Sequence, residues 1–105
     1  MPSFADNLKT FPSITHLAGL DLLDAHGTQQ ASLRNQQGQA GSLALYLHLY
    51  QQFGAITPEA AALGLDLFAE HTAHAKANPN AHPNIDRLLA LVATGKTLQV
   101  KLIPA

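Results

Sequence analysis

The chain has 105 residues, the size of one domain able to bury roughly two-thirds of its unfolded surface, and residues 1–105 are expected to fold as a single unit. There is no cysteine, which excludes disulfides, thiol catalysis and metal sites built on thiolates. Charged residues make up 12% and the net charge is -1 at pH 7; Lys9, Arg34, Lys76, Arg87, Lys96 and Lys101 form no run, which argues against nucleic acid as a partner, since that affinity rests on clustered cations neutralising phosphates.

Ser3 is placed to cap a short helix reaching about residue 10, with Phe4, Leu8 and Phe11 on one face and Pro12 ending it. A hairpin follows. Leu20 and Leu22 alternate with Asp21 and Leu23, and Asp24-Ala25-His26-Gly27 carries the residues of a bulged turn. The return strand, about 28–35, is half polar and suits a sheet edge. After the polar loop 36–41, a helix is expected over about 42–53, capped by Gly54. Thr57 and Pro58 open the next helix, expected to run unbroken to about residue 76, with Gly64 on its inner stripe marking the close approach of another backbone. Residues 78–83 break it. A further helix over about 84–94 ends at Gly95. The last segment, 97–103, alternates Leu98, Val100 and Leu102 with Gln99 and Lys101, a strand with one wet face. The fold class is therefore α+β: a small antiparallel sheet of about three strands, the N-terminal hairpin plus the C-terminal strand, with three to four helices packed on one face. The final strand should pair beside the first.

The apolar tracts fall short of the ~20 residues a membrane helix needs, so no membrane partner is expected. The start, Met1-Pro2-Ser3-Phe4, lacks the pattern of a secretory signal. A cytoplasmic location follows as the expectation. Near-neutral surfaces associate readily, and the helix over 42–53 is apolar on more than one side, as in a helix that is central or shared between chains. A homodimer is expected, with Leu45, Tyr46, Leu49, Tyr50 and Phe53 at the contact between copies. A further protein partner is possible.

The chemistry-bearing residues gather at Glu70-His71-Thr72-Ala73-His74 and in the loop carrying His82. His71 and His74, three apart on a helix, can project to one side. His82 could fold back as a third nitrogen, with Glu70 and Asp86 orienting the rings. Three such ligands and water would suit zinc, nickel or ferrous iron. The plainer account places His71 at the rim of the core and pairs His74 with Glu70 at i, i+4. The metalloprotease spacing, His at i and i+4 with Glu after the first, is absent. A second candidate is Gly38-Gln39-Ala40-Gly41-Ser42, where the amides of Gly41 and Ser42 at a helix start could hold an anion; the plainer account there is a turn in which Ser42 caps the helix. No serine stands in a glycine-flanked elbow, and no catalytic set is assigned.

The run Ala69-Glu70-His71 through His82-Pro83-Asn84-Ile85-Asp86-Arg87-Leu88-Leu89, with Gly38-Gln39-Ala40-Gly41-Ser42-Leu43 upstream, resembles a family of small uncharacterised proteobacterial proteins classed as a domain of unknown function. The resemblance spans most of the chain. It implies a bacterial, cytoplasmic, single-domain protein and brings no catalytic residues. The expectation is a non-catalytic homodimeric interaction module without a cofactor; the alternative is a divalent-metal protein or metal-dependent enzyme using His71, His74 and His82.

Overall fold

A computed structural model describes residues 2–105. Helix α1 (Phe4–Leu8) starts with a reciprocal cap. The Ser3 hydroxyl accepts from the Asp6 N–H, and the Asp6 carboxylate accepts from the Ser3 N–H, so two otherwise orphaned donors are satisfied together. The antiparallel strands β1 (Leu17–Leu23) and β2 (Gln29–Arg34) follow. Asp24 Oδ1 accepts from the N–H groups of His26 at 2.8 Å and Thr28 at 3.0 Å. Gly27 takes φ +80°, a conformation glycine adopts without strain.

Strand β3 (Gln99–Pro104) pairs antiparallel with the free side of β1, giving the order β2-β1-β3. The register aligns Leu33, Leu20 and Leu102 in one row and Ala31, Leu22 and Val100 in the next. These rows meet the helices. On the other face Asp21 lies across from Ser32 and Lys101, and the Ser32 hydroxyl donates to Asp21 at 2.7 Å. The period of two thus sorts apolar from polar side chains on both edges of β1.

Four further helices complete the fold: α2 (Ala40–Phe53), α3 (Pro58–Leu67), α4 (Glu70–Ala77) and α5 (Pro83–Thr94). Gly54 and Gly95 close α2 and α5 in left-handed conformation, and the Thr57 hydroxyl caps α3 by accepting from the Ala60 N–H. Two expectations are corrected. Helix α2 begins at Ala40, two residues before Ser42, so Ser42 lies in its first turn and is not its cap. The N-cap is Gln39, which makes no capping bond; its side-chain oxygen accepts instead from the Arg34 N–H. The helix expected to run to residue 76 is two helices, because Ala69 takes φ 54° and ψ -119°. Thr72 helps hold the corner by donating its hydroxyl hydrogen to the Leu65 carbonyl at 2.6 Å. Among the described residues the helix count rises to five.

Helix α2 is the centre of the core. Leu43, Ala44, Leu45, Tyr46, Leu47 and Leu49 are all buried, covered by α1, α3, β2 and the start of α5. The excess apolar coverage of this helix is therefore used inside one chain. Leu45, Tyr46 and Leu49, expected between copies, have no exposure at all and are core residues. Tyr50 is half-buried and Phe53 is 39% exposed. Gly64 is a point of close approach, but what approaches is side chain: a Cβ there would lie 2.8 Å from Leu88 Cδ1 and 2.9 Å from Leu49 Cδ1. Leucines of α5 and α2 fill the notch that glycine leaves in α3.

Candidate functional site

The corner at Ala69 redirects the chain after Phe68. Phe68 turns into the core and stacks on Phe4 of α1, ring centroids 5.4 Å apart and planes 15° from parallel. His71, the second residue of α4, meets the same Phe4 ring edge-on at 5.2 Å. Glu70 fixes the arrangement from outside: its Oε1 accepts from the Phe4 N–H at 2.7 Å. That bond from the Phe4 N–H, which favours the charged form, leads the causes that hold the Glu70 carboxyl below its ordinary range. The expected pairing of Glu70 with His74 does not form. Asp86 is likewise engaged elsewhere, its Oδ2 accepting from the Asn80 N–H at 3.0 Å. Neither carboxylate orients an imidazole.

The three imidazoles do come together. The chain reverses through Asn80, at φ 74°, and brings His82 back to α4 at the N-cap position of α5. Its ring centroid lies 5.9 Å from that of His71 and 4.9 Å from that of His74. His74 Nδ1 and His82 Nε2 are 2.7 Å apart, so one ring donates and the other accepts, and the two tautomers are tied to each other. Among the described residues, however, no group of three His, Asp or Glu side chains converges as a metal shell. The nitrogens in closest contact are those of His74 and His82, while His71 stacks on an aromatic ring.

Behind the rings lies a cleft of about 390 Å3. His71, His82 and Phe4 line it together with Gly41, Ser42 and Asn84. The two candidate segments of the sequence, separated by some thirty residues, are therefore walls of one cavity. Helices α2 and α5 both begin at this cleft, and neither start has a side-chain cap. In α2 the Ala40 and Leu43 N–H groups bond to Gln36 and Gln39 carbonyls, whereas those of Gly41 and Ser42 have no acceptor among the described residues. In α5 the Asn84 N–H is in the same position. Unsatisfied N–H groups at helix starts carry partial positive charge. The cleft thus holds donors from two helices and two imidazoles against an aromatic wall.

The sequence reading missed the aromatic wall and a polar network beneath it. The buried Tyr46 hydroxyl donates to the Asn84 carbonyl at 2.5 Å, and Arg87 Nη1 donates to the Tyr46 oxygen at 3.1 Å and to Asn84 Oδ1 at 2.8 Å. The spacing of Asn84 and Arg87 at i, i+3 was a visible signal for part of this. The partnership with Tyr46, across 38 and 41 positions, had none.

The molecule is thus an α+β protein with a three-stranded antiparallel sheet and a cleft lined by residues of α1, α2, α4 and α5. It belongs to a family described as uncharacterised protein conserved in bacteria (DUF2322), whose model matches residues 4–102. No curated protein and no solved structure is similar enough to count as a match. Among the described residues, no helix is long and apolar enough to cross a membrane.

Proposed function

We propose that the protein is a binding module whose ligand is a small anion held in the cleft between α1, α2, α4 and α5. The observation that carries this reading is the convergence of the His71 and His82 rings with the unpaired N–H groups of Gly41, Ser42 and Asn84 on one cavity of about 390 Å3. Every polar group named there can donate a hydrogen bond, and the nearby carboxylates are occupied elsewhere. A carboxylate or phosphate would satisfy amides that no group among the described residues satisfies. Titration with inorganic phosphate and with acetate, followed by NMR, tests it. Saturable shifts are expected at the Gly41 and Ser42 amides and at the His71 and His82 ring protons. No movement at any of them at tens of millimolar anion overturns the reading.

The 2.7 Å approach of His74 Nδ1 to His82 Nε2 favours a second reading, a divalent-metal site on His74 and His82 with His71 beside them. Zinc, nickel or ferrous iron suits imidazole nitrogen. Zinc titration separates the two: an H74A variant should lose metal binding and keep anion binding, because His74 does not line the cleft. Pairing of two copies now rests on the outer end of α2, where Tyr50 and Phe53 remain toward solvent. Light scattering at micromolar concentration tests it, and a monomer throughout that range removes it.

A further inference from the structure

A second cleft, of about 790 Å3, opens between the β1–β2 turn and the C-terminal half of α5. Its size is that of sites for small organic ligands. Ala90, Leu91 and Leu98 give it an apolar floor, and Arg87 stands in its wall.

The state of Arg87 decides what the cleft suits. Its Nη1 is used twice, on the Tyr46 oxygen and on Asn84 Oδ1, and its guanidinium carbon sits 5.7 Å from the centre of the Tyr46 ring. The side chain is half-buried and held in one geometry. Among the described residues its Nε and Nη2 groups have no acceptor and it forms no ion pair. A half-buried cation without a counter-charge is costly, and a guanidinium already fixed at one corner loses little freedom on binding a planar partner. Lys96 and His26 add donors at the rim. The one carboxylate in the lining, Asp24, is held by its own hairpin: Oδ1 accepts from the His26 and Thr28 N–H groups, and Oδ2 accepts from the Gln30 amide.

We infer that this cleft binds a monocarboxylic acid with a hydrocarbon body. The carboxylate takes the two free donors of Arg87 side by side, and the chain lies over Leu91 and Leu98. This site does not depend on the histidine-lined cleft, and the two are separable by where a ligand perturbs the protein.

The test is NMR titration of the whole protein with octanoate, octanol and inorganic phosphate. Octanoate is expected to shift, saturably, the amides of residues 90–99 and 24–26 and the Arg87 Nε signal. Octanol and phosphate, each carrying half of the recognised chemistry, should bind at least tenfold more weakly. R87K keeps the charge and loses the fork, and should weaken octanoate at least tenfold. Because Arg87 also holds Tyr46, a second variant leaves that network intact: A90F fills the floor and should weaken octanoate at least tenfold with thermal unfolding unchanged. Octanoate shifts confined to residues 40–42 and 81–85, octanol binding as tightly as octanoate, or full affinity in A90F would each overturn the inference.

Discussion

Two glycines without positive φ show how differently one missing methyl can matter. At Gly19 a Cβ would collide with the Leu33 carbonyl oxygen and lie 3.2 Å from Arg34 Cα. Both are backbone of the paired strand, beside the register shift between β1 and β3, and neither can yield without breaking the ladder. G19A is expected to cost more than about 2 kcal/mol, at the upper part of the usual overpacking range, and to lower Tm by roughly 10 °C or more. At Gly64 the obstructing atoms are leucine methyls, which can move, and alanine gains about 1 kcal/mol of helix propensity over glycine. G64A is therefore expected to stay within about 1 kcal/mol of the parent in the same melting experiment. Tyr46 shows the complementary case of a buried polar group that is fully paired. Burial is the leading cause that pushes its phenol up to about 12, against the opposing pull of Arg87. A raised folded-state value means the neutral phenol contributes stability that is complete below the ordinary tyrosine value of 10.0 and is lost as pH rises through about 12. In a Y50F variant, tyrosinate absorbance should therefore appear only near that pH and together with unfolding. An earlier, reversible ionisation in the folded protein would contradict it.

At the scale of elements, legibility followed the range of the interaction. The hairpin turn could be read because Asp24 bonds to residues two and four positions on. The ends of α2 and α5 could be read because Gly54 and Gly95 act locally. The strand β3 could be read from its alternation alone. The corner between α3 and α4 could not. Residues 66–71 contain neither glycine nor proline, and Ala69 is held at φ 54° by contacts outside the helix pattern: Phe68 against Phe4, Glu70 on the Phe4 N–H. For an L-residue such a conformation costs on the order of 1–3 kcal/mol, which local propensity would avoid. A69G relieves it, less the 0.5–1 kcal/mol or so that glycine loses through its freer unfolded chain. The variant should be more stable by up to about 2 kcal/mol in denaturant unfolding, with the His74–His82 contact kept. The convergence of the imidazoles depends on this corner and on the reversal at Asn80. For that reason the histidines and the segment 38–42 could each be nominated from the sequence, while their meeting at one cleft could not. The ambiguity over α2 was of another kind. A helix apolar on most sides is compatible with a central position or a shared one, and only the packing of its neighbours distinguishes them. L49E probes that packing directly. A carboxylate at a position with no exposure should prevent folding, as burial of an unpaired charge costs far more than a small domain's net stability can spare.

For the whole molecule, the cleft is closed on one side by α1, the shortest helix, with no fully buried residue of its own. It is tied down across the fold by Phe4 against Phe68 and His71, by the Asn7 side-chain amide donating to the Leu67 carbonyl at 3.0 Å, and by the Phe4 N–H on Glu70. Such thinly anchored segments are where local opening has the lowest free energy. Glu70 makes that opening depend on pH. Its carboxyl is held below the ordinary value in the folded protein, so its ionised form contributes to docking at pH values above the ordinary glutamate range. That contribution disappears as pH falls through the lowered folded value. Acidification should therefore release α1 before the sheet or α2 responds. Hydrogen exchange followed by NMR would read this as earlier loss of protection at the Phe4 and Asn7 amides than at Leu20 or Leu45. An E70Q variant keeps an acceptor without the titrating charge. Its α1 should exchange faster than the parent's at neutral pH and lose less protection than the parent's on acidification, the Asp6 carboxylate of the cap being left in place. If parent and variant lose α1 protection at the same pH, the charge on Glu70 does not hold the wall of the cleft, and the aromatic contacts of Phe4 alone carry it.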